Sequence, residues 1–516
     1  MLTFKPTKYK VNRKKERGIT LVIALGNIMA ENGKENQEKF VHLAWKPDKT
    51  SEVPLYRQIV DYVSSQVSRG DWTIGSKLPS QREMSDIFEV NRSTIVSAME
   101  ELMSYGMIEA SYGGGTRIAS NTWSLLMSAP PDWNRYIASG TFQSNLQTIQ
   151  TINKLEFDER YVRLGTGEIS PELFPEAMMK DVLHALPERI PSLNYLGPLG
   201  LPELQQSLCK RLKKRGIDVK PSNILITSGS LQALQLISVC MMKPGATVFT
   251  EAPSYLKSLQ VFPSAGMEFS GVPMDQSGIM YWKIEKILNG SLLYTIPTHH
   301  NPTGTIMTQE RRKEVYDFCS VHRLPIIEDD AYGELWFEEE QPPFPMKSLD
   351  KNGMILYTGT ISKTLSPGLR TGWLVGPESV VERLGDVKMQ MDYGTSSLSQ
   401  WALTEILEGG AYDEYLDALR PKLKKRRDIA LAALEKHFSD IAEWNRPTGG
   451  FYIWVRIKKN IPSGKLFQEA LRKNILLNPG SIYDYKENKC LRLSYAYAAE
   501  EDLEKGIRML GKIIKG

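Results

Sequence analysis

The chain has 516 residues, 41% of them hydrophobic and 24% charged, and carries a formal net charge of +4 at pH 7. That length exceeds one ordinary core, so two domains or more are expected, with the composition of a soluble globular protein. No segment has the roughly 18 consecutive apolar residues of a membrane-spanning helix. Residues 1–20 hold seven Lys or Arg against Glu16 alone, and the apolar run at 19–25 faintly imitates a signal peptide. That run is short and Asn27 follows closely. Residues 1–50 are therefore expected to be a disordered leader, or the product of a start placed too early, with Met29 as the true start. Cys209, Cys240, Cys319 and Cys490 lie far apart without a CxxC pair, which suits reduced thiols in the cytoplasm better than a disulfide frame or a zinc site.

Residues 51–120 read as a small helical domain ending in a hairpin. Over 54–69, Leu55, Ile59, Val63 and Val67 recur at helical spacing. A second helix is expected after Ser80, with Glu83 three residues on as in a capping box. A third begins near Asn91, with Ile95, Met99 and Leu102 on one face. Met107-Ile108-Glu109 and Arg117-Ile118-Ala119 flank Gly113-Gly114-Gly115, the pattern of a two-stranded wing with a glycine tip. Leu78-Pro79-Ser80-Gln81-Arg82-Glu83, Asn91-Arg92-Ser93-Thr94 and Gly115-Thr116-Arg117 resemble, in order and spacing, the GntR-type winged helix. The resemblance implies a third helix in the major groove, with Arg82, Arg92, Ser93 and Thr94 at the DNA and Gly113 at the wing. Arg can bridge guanine O6/N7 or phosphate, and short hydroxyls at a helix start can donate to phosphate oxygens. The same stretch holds six Lys/Arg against nine Asp/Glu. Its hold on DNA is thus expected to rest on placed cations and on paired half-sites in a homodimer.

Residues 121–160, with Pro130-Pro131 and many Ser, Thr, Asn and Gln, read as a linker or arm. From 161 to 516, apolar strand-like runs at 223–227, 247–251, 292–296, 325–329, 354–358 and 372–376 alternate with helical stretches. This is the pattern of an α/β domain with a mostly parallel sheet. Between and after these runs stand residues of a particular chemistry. Lys363, in Thr360-Ile361-Ser362-Lys363, offers an amine. Glu328-Asp329-Asp330-Ala331-Tyr332 offers acids at a strand end and a tyrosine, and Asn301-Pro302-Thr303-Gly304 offers an amide. Ser228-Gly229-Ser230 opens a helix, where small residues bind phosphate well, and Arg370 can clamp it. Tyr255 can stack on a ring. An amine, an acid for a pyridine nitrogen, donors for O3′, a phosphate cup and an aromatic cover are what pyridoxal 5′-phosphate asks of a protein. His299 and His300 read as loop or packing residues, and no metal-ligand spacing is present.

The constellation resembles the fold-type I aminotransferases of the aspartate aminotransferase class. The resemblance implies Lys363 as the Schiff-base lysine and Asp329 at the pyridine nitrogen, with Asp330 the alternative. It implies Tyr332 and Asn301 at O3′, and Ser228, Gly229, Ser230, Thr360, Ser362 and Arg370 around the phosphate. Tyr255 would stack, Tyr195 would reach the neighbouring subunit's phosphate, and Arg492 would grip an effector carboxylate. The fusion of the two halves resembles the MocR subgroup of GntR regulators. It implies a homodimeric, cytoplasmic, DNA-binding transcription factor, nucleoid-associated on its operator, that senses an amino acid or amine by aldimine exchange at Lys363. The groups for transamination are all present, so a working aminotransferase with an accessory head stands as the alternative. A third reading is a cofactor-free dimerisation scaffold.

Overall fold

The computed structural model describes residues 41, 43, 45–111, 115–119, 133–142, 144–339, 341–484, 486 and 489–516. Most of the expected leader, with Met29, lies outside these residues. The chain divides into two compact units, Met1–Gly140 and Thr141–Gly516.

In the first unit, helix α1 (Leu55–Ser68) buries Ile59, Val60, Val63 and Val67. This is one stripe of a 3.6-residue period. Helix α2 (Gln81–Phe88) starts at Ser80. The Glu83 amide donates to the Ser80 hydroxyl at 3.2 Å, and the Ser80 amide donates to the Glu83 carboxylate at 2.8 Å. Two of the helix's otherwise unbonded donors are thereby satisfied. Helix α3 (Arg92–Ser104) turns Ile95, Ala98, Met99 and Leu102 onto the same core. Strands β1 (Ile108–Ser111) and β2 (Gly115–Ile118) pair antiparallel, with Ile108 opposite Ile118 and both buried. Trp45 stacks on Tyr62 with ring centroids 4.6 Å apart and closes one side of this core.

The second unit is built on an eight-stranded sheet. Its strands are β3 (Ile224–Thr227), β4 (Thr247–Ala252), β5 (Glu268–Asp275), β6 (Gly278–Ile279), β7 (Leu292–Thr295), β8 (Ile326–Asp330), β9 (Ile355–Thr360) and β10 (Gly372–Val375). The order is β3-β10-β9-β8-β7-β4-β5-β6. The run from β9 to β5 is parallel, while β10 is antiparallel to both of its neighbours. Central strands such as β7, β8 and β9 are buried throughout, as expected of a sheet covered on both faces. A second, four-stranded antiparallel sheet contains β11 (Ala442–Trp444), β12 (Tyr452–Ile457), β13 (Asn478–Pro479) and β14 (Cys490–Ser494), in the order β11-β12-β14-β13.

The stretch read as a linker is not uniform. Helix α4 (Gln147–Leu155) buries Ile149 and Ile152 in the core of the second unit, so residues 147–155 are part of that body. The amphipathic spacing of those two isoleucines was the available signal, masked by the polar residues around them.

Candidate functional site

The carboxyl end of β8 carries three acids in a row, and strand alternation sends them to different places. Glu328 accepts hydrogen bonds from the Met346 and Lys347 amides at 2.7 Å each. Burial, with Asp330 beside it, pushes its carboxyl up to about 7. Asp330 pairs with Arg215 at 2.7 Å and accepts from the Tyr357 hydroxyl at 3.0 Å. Asp329 lines a cavity of about 320 Å³. Its Oδ2 accepts from the Tyr294 hydroxyl at 2.6 Å, while its buried Oδ1 has no hydrogen-bond partner among the described residues. Burial raises the Asp329 carboxyl to about 6, against the pull of Tyr294. A buried acceptor left unsatisfied at a cavity wall is costly, and a ring N–H presented there would satisfy it.

Lys363 follows β9 and projects into the same cavity, where its Nζ donates to the Gly167 carbonyl at 2.7 Å. Opposite it, helix α5 (Ser230–Met241) begins after Gly229, whose φ of 86° is left-handed. Its first turn has no side-chain cap, so its amides are available to an anion. Arg370, itself at φ 51°, donates to the Ser228 carbonyl at 2.8 Å. A Cβ on Gly229 would meet the Arg370 guanidinium at 2.9 Å, and one on Gly372 would meet the Gly229 carbonyl carbon at 2.8 Å. Only glycine permits this approach of backbone and guanidinium. The Thr360 hydroxyl donates to the Ser362 hydroxyl at 3.0 Å on the same rim.

Arg492, on β14, is buried and held from several sides. It donates to the Asn301 side-chain oxygen at 2.8 Å and to the Gly165 carbonyl at 2.7 Å, and lies 4.1 Å from the Tyr452 ring centroid and 4.9 Å from that of Tyr483. With its oxygen engaged by Arg492, Asn301 turns its amide nitrogen toward the Tyr332 hydroxyl, 3.5 Å away. Tyr332 in turn lies 2.9 Å from the Tyr452 hydroxyl.

One cavity wall thus gathers Gly229, Ser230, Tyr255, Asn301, Asp329, Tyr332, Thr360, Ser362, Lys363, Arg370 and Arg492. Two expected members stand apart. Ser228 contributes its carbonyl to Arg370 and does not line the cavity. Tyr195 is 79% exposed, its ring edge-on to Tyr393 at 4.7 Å. His299 is packed inside, and burial pulls its imidazole down to about 3. Sequence reading missed Tyr294, Tyr452, Gly167, Glu156 and Glu168. A tyrosine inside an apolar strand run was the only signal for Tyr294, and the glycine pair Gly449-Gly450 before a strand the signal for Tyr452. The two glutamates had none.

On the first unit, Arg82, Arg92 and Ser93 are exposed and Thr94 half-buried, the last three within the first turn of α3. Neither arginine makes an ion pair among the described residues. Gly113 lies outside the described residues. No helix among those residues is long and apolar enough to cross a membrane, and no group of three or more His, Cys, Asp or Glu among them could hold a metal ion.

Residues 159–510 match the family model of aminotransferase class I and II, and residues 55–118 match that of bacterial regulatory proteins, gntR family. Over 468 residues the chain is 50% identical to an uncharacterized HTH-type transcriptional regulator, YisV, of Bacillus subtilis (strain 168), covering 90% of this chain and 96% of that one. It is 34% identical over 444 residues to the HTH-type transcriptional regulator NorG of Staphylococcus aureus (strain N315), covering 85% and 99%. Among solved structures it resembles the kynurenine aminotransferase of Pyrococcus horikoshii, crystallised with PMP, at a TM-score of 0.69 and 31% identity over 74% of this chain and 98% of that one.

Proposed function

The chain belongs to the aminotransferase class I and II family and carries a gntR-family head, the MocR-like architecture of HTH-type transcriptional regulators, and from that premise we propose that it reads an amino acid or amine through pyridoxal 5′-phosphate held on Lys363. The observation that carries this reading is one cavity shared by the Lys363 amine, the unsatisfied Asp329 Oδ1 and the clamped Arg492 guanidinium, in a chain that also carries a gntR-family winged helix. When bound, the cofactor supplies an aldehyde that condenses reversibly with a primary amine, so that an effector amine can replace that of Lys363.

The chain's own groups have separable tasks in this reading. Asp329, kept ionised at neutral pH and oriented by Tyr294, would hold the pyridine nitrogen protonated. Asn301 and Tyr332 would bind O3′, the Asn301 amide nitrogen being the end left over by Arg492. Gly229, Ser230, Thr360, Ser362 and Arg370 would hold the phosphate, with Ser228 steadying Arg370 through its carbonyl. Tyr255 would cover the ring. Arg492 would take the effector carboxylate, and its preset geometry lowers the ordering cost of doing so. Tyr195, with exposed Leu193 and Tyr393 beside it in the chain or in space, suits a homodimer surface from which it reaches the partner's site. Arg82, Arg92, Ser93 and Thr94 would meet operator DNA, with Gly113 at the wing.

The test is optical. The purified protein with added pyridoxal phosphate is expected to show a visible band that Lys363→Ala removes and that an amino acid effector shifts. A colourless wild type would sink the reading. Many rapid turnovers with amino and 2-oxo acids would instead favour the aminotransferase alternative, which the regulator names of the relatives do not favour.

A further inference from the structure

We propose that the site is selective for an effector bearing a second cationic nitrogen, a diamino acid in the simplest case, seated by Glu156 and Glu168. This rests on the reading of the cavity as an effector site and names the class of molecule it takes. Lys363, Asp329 and Arg370 have tasks toward the cofactor, and Arg492 toward a carboxylate. Two charged groups of the same wall then remain, Glu156 and Glu168. Neither carboxylate has a hydrogen bond or ion pair among the described residues. Arg163, a natural counter-ion for Glu156, is engaged elsewhere: it donates to the Tyr497 hydroxyl at 2.5 Å and lies 4.6 Å from that ring's centroid.

Partial burial raises the Glu156 carboxyl, and Glu168 beside it adds to the rise, against Arg163, Lys363 and Arg492. Like charges on a half-buried wall are an unfavourable pair, and a cation between them relieves both repulsion and desolvation. A second observation points to a ligand in the same place. A recess of about 200 Å³ adjoins the main cavity and shares Glu156, Gly167, Tyr255 and Arg492 with it. Into its wall is set a buried polar atom without a partner among the described residues, Thr166 Oγ1, whose hydroxyl oxygen can accept from an ammonium. The effector's side chain therefore has room along Glu156, with the Thr166 hydroxyl in the same wall. An anionic side chain lying along Glu156 would meet repulsion from it.

The experiment titrates the full-length, cofactor-loaded protein by absorbance with both enantiomers of ornithine and lysine. Norvaline and norleucine serve as partners of equal chain length without the terminal amine, and glutamate as the opposite charge. One charge-assisted hydrogen bond corresponds to about tenfold or more in half-saturating concentration, so the diamino acids are expected to lead their neutral partners by about that factor, with glutamate weakest. Glu156→Gln with Glu168→Gln should bring the ratio close to one, and the band itself reports whether each variant still holds cofactor. Equal half-saturation for ornithine and norvaline and for lysine and norleucine in the wild type overturns the proposal, as does an unchanged ratio in the double variant. A band that no amino acid moves would overturn the sensing role as well, and a colourless protein the cofactor reading beneath both.

Discussion

Burial moves the Asp329 carboxyl from its ordinary 3.8 up to about 6, and the Tyr294 hydroxyl opposes this without cancelling it. Between those two values Asp329 binds a proton in the folded, cofactor-free protein that it lacks in the unfolded chain, so its contribution to stability is fully present below about pH 4 and is lost as pH rises through about 6. The full loss is on the order of 3 kcal/mol. Asp329→Asn removes the ionisation while keeping an oxygen for Tyr294. The cofactor-free variant is therefore expected to melt above the wild type at pH 8 and level with it near pH 4, which scanning calorimetry at the two pH values would check. A variant melting below the wild type at pH 8 would contradict this account. The choice between Asp329 and Asp330 was open in the sequence because both end one strand. Only the positions of Tyr294, Arg215 and Tyr357 separate them, and these come from other strands and a distant turn.

Among the elements, the capping box at α2 was legible because its whole signal lies within four residues, Ser80 to Glu83. Ser80→Ala should lower the head's stability by about 1 kcal/mol and leave cofactor uptake unchanged, which paired melts and absorbance spectra would check. Arg92→Ala should weaken operator binding at moderate salt with cofactor content intact, and binding that survives would remove α3 from the groove. The six strand-like runs all became strands of the large sheet, each within two residues at either end. Strand β5 escaped notice because Gly271 and Pro273 interrupt it. The antiparallel sheet that carries Arg492 also went unread, since strands of two to six residues leave little periodicity.

At the scale of the molecule, the gntR-family unit and the aminotransferase-family unit are joined by a chain that leads to α4, and α4 leads directly to Glu156 in the cavity wall. A coupling free energy between the two sites, typically about 1–3 kcal/mol, needs a path that is not slack. Inserting about ten Gly/Ser residues within 120–132 should leave the effector's absorbance change and the head's operator binding each intact while abolishing the effect of one on the other. Operator affinity that still responds to effector in that variant would rule out the connecting chain as the path. What this sequence determined alone were features written in neighbouring residues: the faces of α1 to α3, the cap of α2, the hairpin of β1 and β2, six strands of the large sheet, and Lys363 with its flanking motif. What waited for the tertiary structure was convergence, such as Arg492 meeting Gly165 across 327 residues or Lys363 meeting Gly167 across 196. Periodicity is a property of adjacent residues along the backbone, whereas the company a buried charge keeps depends on how distant segments pack, and no local pattern encodes that.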